Sequence, residues 1–289
     1  MEKDTFFFNF FRFWVKQALQ FYCKRISVTG LENIPNDKPV LLCPTHSNSF
    51  LDAFYLCVYL DSPIHPLARG DAFKKTAIDN VLRQFKMLPI FRQTDGESDA
   101  FNKNEASFEE CQQLFLKNKK VLIFPEGICK HQKEVLPLKK GASVLAQRAW
   151  NAGIDLQVVP IGITYNNFFS WGKKCDIIIG KKIIKTEFEI TENASFNREF
   201  NGKLFSEMKM LYPSPFQFKN NKVFRSPWLP IQYFLGWCIN APIYGISYLL
   251  VKKLTKGTIF HDSAIVGMLA LLLPVYYLAI AFTFLICYW

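Results

Sequence analysis

His46 and Asp52 are the two residues of this chain whose types and spacing most directly suggest chemistry. They frame the segment Thr45-His46-Ser47-Asn48-Ser49-Phe50-Leu51-Asp52, with five residues between imidazole and carboxylate. An imidazole can take a proton from a hydroxyl near neutral pH, and a carboxylate beside it fixes the tautomer and steadies the imidazolium. The apolar run at residues 39–43 reads as a buried strand before the segment, and residues 50–60 read as a packed helix after it. A strand-to-helix turn is where open α/β sheets place their sites. On its own a His/Asp pair is more often a local arrangement than a catalytic one. Ser47 and Ser49 read as caps for the helix starting near Phe50.

Three further blocks end apolar runs in the same way: Pro89-Ile90-Phe91-Arg92, Phe124-Pro125-Glu126-Gly127 and Val159-Pro160-Ile161. The elements that must position them follow from periodicity. Strands are predicted at 26–29, 39–43, 63–70, 87–92, 121–124, 157–165 and 176–180. Helical patterns fill 50–60, 72–86, 101–118, 141–150 and 188–211. Strands alternating with helices give an α/β fold with a largely parallel sheet flanked by helices, which would gather the four blocks.

Half of the 289 residues are hydrophobic, 29 of them Phe, and the net charge is +11. The charge points to an anionic partner: nucleic acid, anionic lipid or a phosphorylated substrate. Nucleic acid is disfavoured, because the aromatics sit in apolar segments and not among basic residues. The chain reads as three parts: an interfacial amphipathic helix at 1–25, a catalytic domain at 26–226 and a hydrophobic helical hairpin at 227–289. Residues 5–24 put many aromatics on one broad face with Arg12 and Lys16 at hand for headgroups; packing on the main core is the competing reading. Residues 228–251 and 263–289 are each long enough for about 30 Å of hydrocarbon. Basic residues precede the hairpin (Lys219, Lys222, Arg225) and also fill its turn, and prolines interrupt both segments, so spanning and re-entry from one face both stay open. The eight cysteines lack Cys-x-x-Cys spacing and read as reduced thiols. His65, His131 and His261 have no metal-ligand spacing, and no Gly-rich phosphate or dinucleotide loop occurs.

In this order the four blocks resemble the glycerolipid acyltransferase family, which includes glycerol-3-phosphate and 1-acylglycerol-3-phosphate acyltransferases, over roughly residues 25–185. The commonest family pattern has four residues between His and Asp. The arrangement here, His46-Ser-Asn48-Ser-Phe50-Leu-Asp52, is similar to a subgroup of bacterial and fungal-type members. Ala68-Arg69-Gly70-Asp71-Ala72-Phe73-Lys74, Leu138-Lys139-Lys140-Gly141-Ala142 and the apolar tail are similar to that subgroup too. Ile128-Cys129-Lys130 stands where many members have Thr-Arg.

The resemblance implies a membrane-bound acyltransferase with a glycerol-3-phosphate acyltransferase-like fold and its catalytic domain facing the cytosol. It would move a fatty acyl group from acyl-CoA or acyl-carrier protein to 1-acylglycerol-3-phosphate or glycerol-3-phosphate. His46, oriented by Asp52, would deprotonate the acceptor hydroxyl, which attacks the thioester directly. Arg92 would hold the acceptor phosphate, with Arg69 and Lys130 as further cations whose competing reading is a surface ion pair. Glu126 and Gly127 would lie at the acceptor, although Glu126 also suits bonding of loop amides. Pro160 would shape the strand beside the acyl site. The thioester arrives activated, so no metal or redox cofactor is expected. Another lysolipid or dihydroxyacetone phosphate as acceptor, and a non-catalytic basic lipid-binding protein, are the alternatives.

Overall fold

The computed structural model describes residues 6–60, 63–91, 100–168, 171–188, 193–212, 222–223, 230–255 and 257–287. Helix α1 (Phe6–Tyr22) runs directly into strand β1 (Cys23–Thr29). Strand β2 (Val40–Pro44), helix α2 (Phe50–Tyr59), strand β3 (Ile64–Arg69), helix α3 (Thr76–Gln84) and strand β4 (Leu88–Ile90) follow. Next come α4 (Ala100–Leu116), β5 (Lys120–Leu122), α5 (Gly141–Asn151), β6 (Gln157–Tyr165) and β7 (Lys173–Ile179). The chain continues with α6 (Asn193–Leu211), the short β8 (Lys222–Val223), α7 (Pro230–Thr255) and α8 (His261–Cys287). The strands form one sheet in the order β4-β3-β5-β2-β6-β7-β1-β8. Only β6–β7 and β1–β8 are antiparallel among the neighbouring pairs described.

The central strands are apolar on both faces because helices cover both sides of the sheet. Along β2, Val40 and Leu42 enter one core, and Leu41 and Cys43 enter the other, following the period of two of an extended chain. The first core is closed by α1, α2, α7 and the start of α8, the second by α4, α5 and α6. The expected α/β class and most expected elements are present. The first helix stops at Tyr22, earlier than its apolar pattern suggests, because Cys23 already pairs with Lys173 of β7. Residues 70–73 form a separate 3-10 turn ahead of α3, and β8 had no signal in its two residues.

The apolar elements at the two chain ends meet. The second half of α1 buries Val15, Ala18, Leu19 and Tyr22 in the core, while Phe6, Phe7, Phe10 and Phe13 are exposed. Helices α7 and α8 run on through Pro242 and Pro274. The first half of α8 is packed against α1, α2 and α7, with Ile265, Val266, Leu269 and Leu273 buried. Its second half exposes Val275, Leu278, Phe282, Leu285 and Ile286. Among the described residues, α8 is the one helix long and apolar enough to cross a membrane by length and composition.

Candidate active site

The parallel strands β2, β3, β4 and β5 end on one edge of the sheet, and their C-terminal ends build the site. Past the end of β2, the Thr45 amide donates to the Ile161 carbonyl at 2.9 Å. Its hydroxyl bridges the Ile163 N–H and carbonyl at 2.9 and 3.3 Å. The next residue is therefore held rigidly at the strand end. His46 Nδ1 lies 2.9 Å from Asp52 Oδ2. Asp52 is fully buried in the first turn of α2. Its carboxylate also accepts the Asn48 N–H at 2.8 Å and the Tyr165 hydroxyl at 2.6 Å.

With the carboxylate accepting on all sides, Nδ1 carries the hydrogen and Nε2 keeps its lone pair, the tautomer a general base needs. The extra residue between His46 and Asp52 does not separate them. Ser49, in the turn between them, takes φ 51° and ψ −138°, a backbone conformation that side-chain-bearing residues rarely adopt. Its side chain makes no cap hydrogen bond, contrary to the expected serine cap at this position. The His46 ring stacks on Phe124, with centroids 3.8 Å apart and planes at 19°.

The block after β5 wraps the same histidine from the other side. Glu126 is buried, and its carboxylate accepts the His46 N–H at 3.1 Å and the Leu136 N–H. Burial pushes its pKa up to about 7, against the pull of those two amides. Gly127 has φ 68°, and a Cβ there would lie 2.8 Å from Lys139 Cγ, so both backbone angle and space require glycine. Cys129 follows, its sulfur accepting the Ser49 N–H at 3.0 Å. Burial, and then the nearby Asp52 charge, push its pKa up to about 12, so the group stays a thiol. Metal-ligating atoms of His46, Asp52 and Cys129 lie within 4.8 Å of one another.

His46 opens on a cleft of 1230 Å³ whose walls include Phe50, Leu67, Met87, Ile90, Phe91, Phe108 and Ile123. Its cationic lining includes Arg69, Lys139, Lys140 and Arg148. Arg148 is held by both oxygens of Glu105 at 2.5 and 2.8 Å. Arg69 is exposed and paired with Asp71 at 2.7 Å. Gly127 also lines the cleft. Lys130 is exposed on the loop, its amide 3.5 Å from the His46 carbonyl, and its side chain is not part of the lining. Pro160 is buried in β6 opposite Cys43 of β2, behind the cleft wall. Arg92 lies outside the described residues. Sequence reasoning missed Tyr165 and Cys129 as neighbours of the pair. Tyr165 ends a recognisable strand, but nothing in a separation of 113 residues marks it as a partner of Asp52.

Residues 25–164 match the family model described as Acyltransferase. The chain is 25% identical over 160 residues to mouse 1-acyl-sn-glycerol-3-phosphate acyltransferase alpha, covering 55% of this chain and 52% of that protein. The human protein of the same name is 26% identical over 149 residues, covering 51% of this chain and 49% of that protein. The chain thus spans about half the length of the curated relatives it matches. The crystal structure of the 1-acyl-sn-glycerophosphate acyltransferase PlsC from Thermotoga maritima has the same fold. Its TM-score is 0.50 at 20% identity, over 70% of this chain and 79% of that one. The four strand-end blocks all lie inside residues 25–164, the region of the chain that is similar to the Acyltransferase family.

Proposed function

We propose that the protein transfers a fatty acyl group from a thioester donor, acyl-CoA or acyl-carrier protein, to a hydroxyl of 1-acylglycerol-3-phosphate or glycerol-3-phosphate. The observation that carries this reading is the 2.9 Å His46–Asp52 pair facing a large, mainly apolar cleft. His46 Nε2 takes the proton of the acceptor hydroxyl as its oxygen attacks the thioester carbonyl carbon. Asp52 stabilises the imidazolium that forms. The carbon–sulfur bond then breaks, and the imidazolium returns the proton to the leaving thiolate. No enzyme nucleophile is required, in keeping with a Cys129 that stays protonated. The apolar walls suit an acyl chain. Arg69, Lys139 and Lys140 supply positive charge for phosphate groups at the cleft, and Arg92 is proposed to join them.

In this reading the protein sits on a membrane with its catalytic domain on the cytosolic side, and the exposed aromatics of α1 and the apolar outer half of α8 support it.

The test is acyl transfer by the purified protein from labelled long-chain acyl-CoA to a panel of glycerol-3-phosphate, 1-acylglycerol-3-phosphate and dihydroxyacetone phosphate. Wild type should acylate one of the first two, and His46→Ala should lower kcat by roughly 10²–10⁴-fold. Transfer unaffected by His46→Ala, or no transfer by wild type, would refute the assignment.

A further inference from the structure

The catalytic loop is held from behind by the first turn of α8, the same helix whose far half is exposed and apolar. Asp262 is buried there beside Lys173, which is equally buried, and the two form an ion pair. Asp262 also accepts the Tyr22 hydroxyl at 2.6 Å and the Asn48 side-chain amide at 3.1 Å. The Lys173 ammonium lies over the rings of Tyr22 and Tyr165, 5.6 and 5.4 Å from their centroids. Tyr165 is the residue whose hydroxyl donates to Asp52. The next residue along α8, Ser263, accepts the Leu51 N–H at 2.9 Å and donates to the Asn48 carbonyl at 3.3 Å. Asn48 is thus gripped through its side chain and its carbonyl, and its own N–H is what fixes Asp52 Oδ2.

We propose that Asp262 and Ser263 are positioning residues for the reaction: the α8 helix braces the His46–Asp52 loop and is not only an anchor. Two charges buried together are costly unless paired and hydrogen-bonded, and here the Tyr22 hydroxyl and the Asn48 amide of the loop complete the Asp262 side of the pair. A helix needed solely for membrane attachment has no use for a carboxylate and a hydroxyl turned inward onto residues 48–51. The brace reaches Asp52 indirectly, through Asn48, Leu51 and Tyr165, so its loss disturbs orientation and leaves the reacting groups in place.

This proposal rests on the acyltransferase reading, and the experiment separates the two. Full-length Ser263→Ala and Asp262→Asn are compared with Ser247→Ala, which removes a buried hydroxyl bonded to the Ile243 carbonyl within α7. Activity with long-chain acyl-CoA and 1-acylglycerol-3-phosphate is read per folded protein, and hydrogen exchange is followed in a peptide covering residues 45–52. Ser263→Ala should lower kcat on the order of 10-fold with both KM values within about twofold, and should speed exchange in that peptide. Ser247→Ala should leave both readouts near wild type. Should Asp262→Asn fail to fold, Ser263→Ala still decides. Unchanged exchange in 45–52 overturns the brace, and so does an unchanged kcat in an active enzyme. An equal fall in Ser247→Ala also overturns it, since that marks general destabilisation. A wild type that transfers no acyl group sinks the acyltransferase reading, while the exchange result still judges the brace.

Discussion

Glu126 offers a quantitative test of how the site is held together. Its carboxyl is buried, and its pKa is raised from 4.5 to about 7 because burial penalises the charged form more than the His46 and Leu136 amides favour it. The folded protein therefore binds more protons than the unfolded chain between those two pH values. Stability is unaffected by this group below pH 4.5, falls as pH rises through the window, and carries the full penalty above pH 7. Moving this carboxyl from 4.5 to about 7, at roughly 1.4 kcal/mol for each tenfold change in acidity, is a penalty of about 3 kcal/mol. In Glu126→Gln the amide has no proton to lose. A protonated carboxyl resembles an amide in keeping one carbonyl oxygen toward the His46 N–H, so variant and wild type should be within about 1 kcal/mol at pH 4.5. At pH 8 the variant should be more stable by about 3 kcal/mol. Urea unfolding in detergent micelles, followed by tryptophan fluorescence across this range, measures the difference. Because every other titrating group is common to both proteins, only Glu126 contributes to its slope. A difference flat with pH would refute the claim that the carboxylate is buried against its own charge.

Two further outcomes follow from the geometry. Gly127→Ala should lower stability by about 1–2 kcal/mol, because a side chain at φ 68° strains the backbone and the new Cβ meets Lys139 Cγ. In thermal unfolding that corresponds to a drop of roughly 2–8 °C, and an unchanged Tm would mean the loop relaxes freely. A polarity-sensitive fluorescent residue placed at Phe282 should report hydrocarbon in vesicles, whereas one at Thr258, on the exposed turn between α7 and α8, should report water. Equal aqueous signals from both positions would remove the membrane role of α8.

Much of the catalytic edge is local and therefore readable from the chain. The His46 turn, the Phe124–Gly127 block and strand 157–165 each carry their own pattern of apolar period, turn residue and polar tip. A strand needs only a few consecutive residues to declare itself, and a parallel sheet then brings the strand ends together whatever lies between them. That made the pairing of His46 with Asp52 legible, along with the approach of the Glu126 loop. Composition likewise marked the apolar tail. Cys129 was visible as a departure from the family pattern but not as a neighbour of Asp52.

Other decisions belong to the tertiary structure. Glu126 has the right chemistry for a substrate hydroxyl, yet packing turns its carboxylate to the backbone amides of His46 and Leu136, a choice made only on folding. Tyr165 and Lys173 look like ordinary strand residues, and their meaning comes from what the crossovers set beside them. Asp262 and Ser263 sit at the head of an apolar helix, where sequence offers only a charge before a hydrophobic run. Their bonds to Tyr22, Asn48 and Leu51 join positions more than 200 residues apart. Local pattern fixes what a segment becomes because its neighbours along the chain set its backbone preferences. Which side chains share a buried space depends on the packing of all the layers at once, and that is where this protein assembled the support for its histidine.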